Sequence, residues 1–414
     1  MDTVWDFAIL GGGAAGLAAA VAASDLGDRV LLLEKNPSLG RKVAASGNGR
    51  CNIMNLKEPV YYGESSFALR ILQLFPPSRL ICFWNDLGLF LVEENEGRMY
   101  PCTYHSSSVI DVLKTRLRSN QVKVCLQTLV TEVFFNGCVF EIHTKGNKVF
   151  YSRRLLIASG GSAFSRLGGS SSGYHFMKSF GHQIITPFPA LCPLVTDSKS
   201  VSGLAGIRAR CTVSLYNHSH ILLHQEKGEV LFTDFGISGI CVMQCARFIE
   251  DGCTIELNLV RHLFPEKNQL LKILRERKNK IKDFPPDYLL HGILHPKLSY
   301  AVLKQAGIAM KEREAGSLSE NELKNITDRL YAYTVYIQAS KGLEEAQITA
   351  GGVSCREFNP RTMESLLVPG LHAAGELLNI DGDCGGFNLM FAFATGILAG
   401  LNGRTGKDVY CAER

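Results

Sequence analysis

The residues best placed to do chemistry lie near the start of the chain. "WDFAIL" runs straight into "GGGAAG", where Gly11, Gly13 and Gly16 keep the G-x-G-x-x-G spacing, and a second apolar run, "RVLLLE", ends on Glu34. In a strand, turn, helix, strand order each residue has a physical task. Gly11 permits the tight turn, Gly13 lets backbone N–H groups approach a pyrophosphate, and Gly16 lets helix and strand pack closely. The helix start, with Ala14 and Ala15 in its turn, presents its positive dipole end to the phosphates. Glu34, with Lys35 beside it, then accepts hydrogen bonds from ribose hydroxyls. A dinucleotide site follows, but FAD and NAD share the same ADP half, so this motif alone leaves the two open.

Three further stretches favour a flavin. "RRLLIASGG" is a strand running into Ser159, Gly160 and Gly161, the kind of crossing that passes beside a pyrophosphate. "GLHAAGELLNIDGDCGGFNLMFAFATGILAG" reads as a strand, an acidic Gly-rich loop and a helix. In that helix Ala392, Gly396 and Gly400 recur every four residues and make one face smooth enough to lie on another helix or on the sheet. Its N-terminus, from Gly385 through Asn388 to Leu389, aims N–H groups at the negative charge a reduced flavin gathers at N1 and O2. The third stretch, "GRKVAASGNGRCNIMN", has no hydrophobic period and reads as a loop wrapped around the cofactor. Arg41 and Lys42 neutralise the pyrophosphate in this reading, and Ser46, Gly47, Asn48 and Gly49 reach the ring edge.

Composition bounds the reading. A chain of 414 residues with 46% hydrophobic and 20% charged side chains has room for two domains, or one with an insertion. The net charge of +5 is too slight to imply nucleic acid by itself. Thirteen cysteines with no C-x-x-C argue against a zinc ribbon or a thioredoxin-like pair, and favour reduced thiols in a cytoplasmic protein. "MDTVWDF" lacks a basic n-region, so no signal peptide is read. The longest apolar stretch, 7–23, is interrupted by three successive glycines and reads as a buried strand plus helix, giving no membrane partner. His291 and His295 stand four apart, but Pro296 follows and no acidic partner is evident, so no metal is expected.

These blocks, together with "GRMYP", "IASGGSAFSRLGGSSSGY", "GEVLFTDFGISG" and "AQITAGGVSCREFNPRTMES", resemble in order the signatures of the BaiN/YhiN-type flavoproteins, NAD(P)/FAD-dependent oxidoreductases. The resemblance runs from the first strand to about residue 400. It implies an α/β fold: a Rossmann-like FAD-binding domain built from both chain ends, with an inserted β-rich domain and a small helical domain. The boundaries expected are 1–190 and 346–414 for the FAD domain, 191–261 and 331–345 for the β-rich part, and 262–330 for the helical part. The middle texture agrees, with β-branched runs before residue 261, helical periods in "KNQLLKILRERKNKIKDF" and "SENELKNITDRLYAY", and a return strand "YTVYIQAS". Ser319 and Glu322 form a capping box.

By the same resemblance Arg50 and Cys51 fall near the isoalloxazine, Gly375 and Glu376 bind the ribityl chain, and Val130 joins the cofactor set. Cys51 invites a thiol role, since a thiolate beside Arg50 would have a lowered pKa, but a small packed residue is the preferred reading. Asp381 and Asp383 sit at the flavin loop, as helix caps or as a proton source. The catalytic residue is otherwise unassigned, with Cys51 and Asp383 the candidates. Leu366, Phe387, Met390, Phe391, Asp234 and Ile240 depart from residues usual in the family, and substrate differences are expected if they face the substrate. Only one dinucleotide fingerprint exists, so NAD(P)H would visit the flavin transiently. The expected function is FAD-dependent, NAD(P)H-driven reduction of a C=C bond in a small, largely apolar substrate. An oxidase of small amines and an RNA-associated flavoprotein using the basic segment "KILRERKNKIKD" are the alternatives, with nucleic acid the less favoured partner.

Overall fold

The computed structural model describes residues 3–311, 313–404 and Tyr410. Two units emerge, Met1–Phe188 with Ile348–Arg414, and Pro189–Gln347.

In the first unit the strand Val4–Leu10 lies inside a seven-stranded sheet, parallel to Val30–Leu33 on one side and to Val149–Ile157 on the other. Lys123–Cys125 extends the parallel part beyond Val30–Leu33. Beyond Val149–Ile157 the strands Phe140–Thr144 and Val130–Phe135 continue antiparallel. The far end of the chain adds Leu371–Ala373, parallel to the last residues of Val149–Ile157. Strands buried this way must be apolar throughout, which is why "FAIL" and "VLLL" show no alternation.

The alanine-rich helix is Ala14–Asp25, with Gly13 as its cap. Its small side chains let the terminal helix, Phe387–Leu401, approach backbone to backbone. A Cβ on Gly396 would lie 2.2 Å from the Ala15 carbonyl oxygen, and one on Gly400 would lie 2.5 Å from that of Ala19. The four-residue repeat therefore faces a helix, and the apolar stretch 7–23 is the expected strand and helix. No helix among the described residues is long and apolar enough to cross a membrane.

The second unit is a closed six-stranded barrel in the order Leu194–Thr196, Gly236–Ser238, Leu222–Phe232, Arg208–Tyr216, Thr254–Asn258, Tyr333–Ser340. The last strand pairs with both Thr254–Asn258 and Leu194–Thr196 and so closes the ring. Val213, Leu215, Val230, Phe232, Ile255, Leu257 and Val335 are wholly buried. Between the fifth and sixth strands the chain forms the helices Lys267–Lys280, Pro296–Gln305 and Glu320–Tyr331, in the same unit as the barrel. The capping box is present: Ser319 Oγ accepts from Glu322 N at 3.3 Å, and Ser319 N donates to Glu322 Oε2 at 2.8 Å.

Candidate cofactor site

The first turn of the sheet divides its glycines by task. A Cβ on Gly11, where φ is +108°, would meet Ala158 O at 2.4 Å, and one on Gly16 would meet Gly11 O at 1.9 Å. Those two are demanded by the protein's own packing. A Cβ on Gly13 or on Gly160 would meet nothing within 4 Å. These two glycines therefore border open space, Gly13 at the helix cap and Gly160 just past the strand Val149–Ile157. The Ser159 hydroxyl beside Gly160 is buried without a hydrogen-bond partner. Open backbone at a helix N-terminus with a nearby unpaired hydroxyl fits a pyrophosphate. Ala15 differs: a Cβ on Gly375 would touch its methyl at 3.0 Å, so its side chain serves packing while its N–H belongs to the free first turn.

Glu34 is buried at the end of its strand. Oε2 accepts from Gly12 N at 2.7 Å, and Oε1 from Asn36 N at 2.8 Å and Asn36 Nδ2 at 2.6 Å. A carboxylate has about four acceptor positions, so one remains for a ribose hydroxyl. Burial pushes the Lys35 ammonium down, with Glu34 opposing and Lys42 reinforcing. Val130 opens the strand at the far edge of the sheet and is buried.

The loop after Gly40 is partly helical, which its lack of hydrophobic period did not indicate. Arg41–Ala45 makes one turn, and Gly47, Asn48, Gly49 and Cys51 then take positive φ of 56°, 54°, 83° and 57°. Two of these are not glycine, a strained backbone of the sort that persists where surroundings over-determine it. Ser46 Oγ donates to Val43 O at 2.7 Å, and Cys51 N to Ser46 O at 3.1 Å. The loop's exit pairs with "GRMYP", Met54 opposite Met99 and Asn55 opposite Arg98.

The basic residues of this loop have protein partners. Arg41 donates to Asn36 Oδ1 at 2.9 Å and to Arg166 O at 3.0 Å. Lys42 Nζ lies 3.0 Å from Glu376 Oε2. Lys42 thus pairs with the acid expected at the ribityl chain. Glu376 Oε1 also accepts from Thr349 N at 2.9 Å, and Thr349 Oγ1 accepts from Ala163 N at 2.8 Å. A Cβ on Gly161 would lie 2.4 Å from that hydroxyl and 2.9 Å from Glu376 Oε1. Three distant blocks converge here through Thr349, which the sequence did not single out. Its hydroxyl looks like any other until the fold brings it to Gly161.

Arg50 too is engaged by the protein. Its guanidinium pairs with Glu94 at 2.6 Å and lies 4.5 Å and 4.6 Å from the ring centres of Tyr100 and Tyr104. Burial meanwhile pushes the Cys51 thiol up to about 11, only partly opposed by Ser46. Cys51 is a neutral packed thiol at physiological pH, so its candidacy as a thiolate is withdrawn. The twelve described cysteines are all free.

At the chain's far end, Asn388 clamps the acidic loop: Oδ1 accepts from Gly382 N at 2.8 Å and Nδ2 donates to Gly382 O at 2.7 Å. Asp381 is buried in the short strand Ile380–Gly382, opposite Tyr62, and Asp383 Oδ1 accepts from the Tyr62 hydroxyl at 2.9 Å. Neither aspartate caps the terminal helix, whose cap is Gly386 with no side-chain bond; that part of the expectation is corrected. Leu389 is half-buried in its first turn. Phe387, Met390 and Phe391 are buried, the two phenylalanines against Tyr61, so these departures from the family pattern fill core. Leu366 and Ile240 are exposed. Among the described residues no group of three or more His, Cys, Asp or Glu side chains is placed to hold a metal; His291 pairs with Asp287 at 3.3 Å and His295 caps the helix after it.

Comparison with known proteins agrees with this geometry. The sequence profile of the HI0933-like protein Rossmann domain matches residues 5–402. The 3-dehydro-bile acid delta(4,6)-reductase of Clostridium scindens is 33% identical over 401 residues, covering 95% of this chain and 97% of that protein. The ribosomal RNA dihydrouridine synthases of Haemophilus influenzae and Escherichia coli are each 28% identical, over 95% and 94% of this chain and 97% and 96% of their own. Among solved structures, 3-ketosteroid-delta4-(5alpha)-dehydrogenase from Rhodococcus jostii shares the fold with a TM-score of 0.50 at 13% identity, over 98% of this chain and 97% of that one. A flavocytochrome c3 fumarate reductase does so with a TM-score of 0.50 at 15% identity, over 97% of this chain and 78% of that one. The chain belongs to the HI0933-like family of Rossmann-domain, FAD-binding oxidoreductases.

Proposed function

We propose that this oxidoreductase reduces a C=C bond conjugated to a carbonyl in a small, largely apolar substrate, with NADH or NADPH as donor. FAD, when bound, supplies the redox chemistry, relaying a hydride equivalent from NAD(P)H to the β-carbon of the alkene. A proton reaches the α-carbon, so that NAD(P)H, H⁺ and the alkene become NAD(P)⁺ and the saturated product. The chain's own part is to hold the cofactor: the Gly13 and Gly160 backbone at the pyrophosphate, Glu34 at the ribose, and the Lys42–Glu376 pair at the ribityl chain. The first turn of Phe387–Leu401 stabilises negative charge at the pyrimidine ring.

The observation that carries the reading is what the named relatives have in common. A bile acid delta(4,6)-reductase and a dihydrouridine synthase are both named for saturating a double bond conjugated to a carbonyl. The small substrate is favoured over RNA because four of the helix's six basic side chains are engaged by the protein, leaving Lys272 and Lys280 exposed. Lys267 pairs with Asp328 and Arg275 with Glu320, while Arg277 and Lys278 donate to the carbonyls of His291 and Leu318. A uracil ring in RNA is the second reading, supported by the names of two relatives. No feature of the site favours the oxidation of small amines.

The test is anaerobic turnover of holoprotein with NADH or NADPH against cyclic enones, such as a Δ4-3-keto steroid, and against uridine-containing RNA. Saturation of an enone supports the first reading, and dihydrouridine the second. Peroxide from aminoacetone, with neither alkene reduced, overturns both.

A further inference from the structure

Asn52 Oδ1 is a buried acceptor with no hydrogen-bond partner. Buried acceptors are nearly always satisfied, so a missing donor calls for a partner, and what that partner is depends on what lies beside the acceptor. What lies beside it is the start of the terminal helix: a Cβ on Gly386 would sit 2.8 Å from Asn52 Oδ1 and 2.6 Å from Met54 O. Gly386 caps the helix with φ +105°, and no side chain serves as cap. The N–H groups of the helix's first turn have no intrahelical acceptor. The two segments are fixed against each other, since Asn55 Nδ2 donates to Gly385 O at 2.8 Å. Asn388, the other amide nearby, spends both ends on Gly382.

An unpaired acceptor beside unpaired donors is complementary to a ring edge that carries a donor next to an acceptor. The pyrimidine edge of an isoalloxazine is such an edge, N3–H beside O2. We infer that Asn52 Oδ1 accepts the flavin N3–H while the first turn of Phe387–Leu401 donates to O2, which makes Asn52 the residue that reads the cofactor's pyrimidine ring. The inference rests on FAD being the cofactor and is independent of the substrate proposed above.

The test compares binding of FAD and of 3-methyl-FAD, which lacks the N3–H, to apoprotein, read by flavin fluorescence quenching. Wild-type protein is expected to prefer FAD by about 10- to 100-fold, the usual cost of leaving a buried acceptor unmade. Asn52→Ala removes the acceptor and leaves room for the methyl group, so it weakens FAD binding and largely erases the preference. Asn52→Asp keeps an acceptor and keeps the preference. Equal wild-type binding of both flavins, or a full preference surviving in Asn52→Ala, overturns the assignment. Binding of neither flavin by the wild-type protein removes the cofactor itself and the inference with it. The wild-type comparison decides even if a variant does not fold.

Discussion

Both units pair many of their charges, as Arg154 does with Asp28 in the Rossmann unit, and they differ in where strain and unpaired groups collect. In the Rossmann unit, non-glycine residues Asn48 and Cys51 sit at positive φ, and Ser159 Oγ and Asn52 Oδ1 are buried without partners. In the barrel unit the charges close on each other: Arg313 grips both oxygens of Glu322, at 2.6 and 2.8 Å, and Arg275 and Lys267 pair with Glu320 and Asp328. Where strain and unpaired groups cluster at one turn, a ligand can make use of them. The lesson is that the first unit gathers strained backbone and unpaired groups at the turns that would hold its cofactor, whereas the second, which also carries an unpaired Ser299 Oγ and Leu191 and His220 at positive φ, closes several of its helical charges on its own acids.

The sharpest way to break this comparison is to exchange the two kinds of glycine. Gly16→Ala places a methyl 1.9 Å from a backbone carbonyl that cannot yield, and should cost more than about 4 kcal/mol, enough to lose the folded unit. Gly13→Ala has open space and an ordinary φ of −85°, so apoprotein stability should fall by only about 0.5 kcal/mol while FAD affinity drops sharply. Denaturant melts of apoprotein and FAD titrations check both. Equal stability losses at the two positions would dissolve the distinction between packing and cofactor glycines.

A second effect isolates the barrel. Phe232 is wholly buried there, edge-on to Tyr333 at 6.5 Å. Phe232→Ala should cost about 3 kcal/mol by leaving a cavity. Hydrogen exchange should show the loss in residues 189–347, with the visible flavin spectrum of the holoprotein unchanged. A lost flavin spectrum would mean that the barrel contributes to the stability of the cofactor site.

Acid should then separate the units by pH. Burial holds both His182 and His372 below the ordinary histidine value of 6.5, although Glu357 and Asn402, respectively, favour their charged forms. His182 Nδ1 lies 2.7 Å from Glu357 and Nε2 2.9 Å from Ser365, and burial outweighs the pull of the carboxylate toward the charged ring. His372 lies between Gly370 O and Asn402, with Arg154 and Glu364 acting on it. Below pH 6.5 the unfolded chain takes up protons that the folded one resists. The stability these groups contribute is full above 6.5 and is lost as pH falls through their lowered folded values. In the barrel unit, Arg313 holds Glu322 down at about 2 from an ordinary 4.5, so its contribution is full above 4.5 and is lost only between there and 2. Hydrogen exchange between pH 7.5 and 5 should weaken protection in the Rossmann unit first. Earlier loss in the barrel would reverse the assignment.

The same contrast explains what could be read from the sequence. Gly11, Gly16 and the Ala392, Gly396, Gly400 repeat were legible because close backbone approach tolerates nothing else, and the return strand Tyr333–Ser340 because β-branched and aromatic residues cluster there. Closure of the barrel was not, since which edges meet depends on pairings far apart in sequence. The Lys42–Glu376 pair was not legible because its members lie 334 residues apart. Thr349 and Asn52 were missed because a hydroxyl or amide gains meaning only from what the fold leaves beside it. Cys51 could not be settled from its neighbour Arg50, because burial, and not the nearest charge in sequence, sets its pKa.

The smallest effect tests the self-sufficiency of the barrel unit. Arg275 holds Glu320 through two nitrogens on the exposed faces of two helices, and such surface pairs add little to stability. Glu320→Gln should therefore leave the melting transition unmoved. It should, however, release Arg275, so that binding of heparin or tRNA at low salt rises modestly and disappears as salt is added. Wild-type protein that already binds RNA as tightly as the variant would show that the basic helix is not occupied with its own acids, and would move the RNA reading ahead of the small-molecule one.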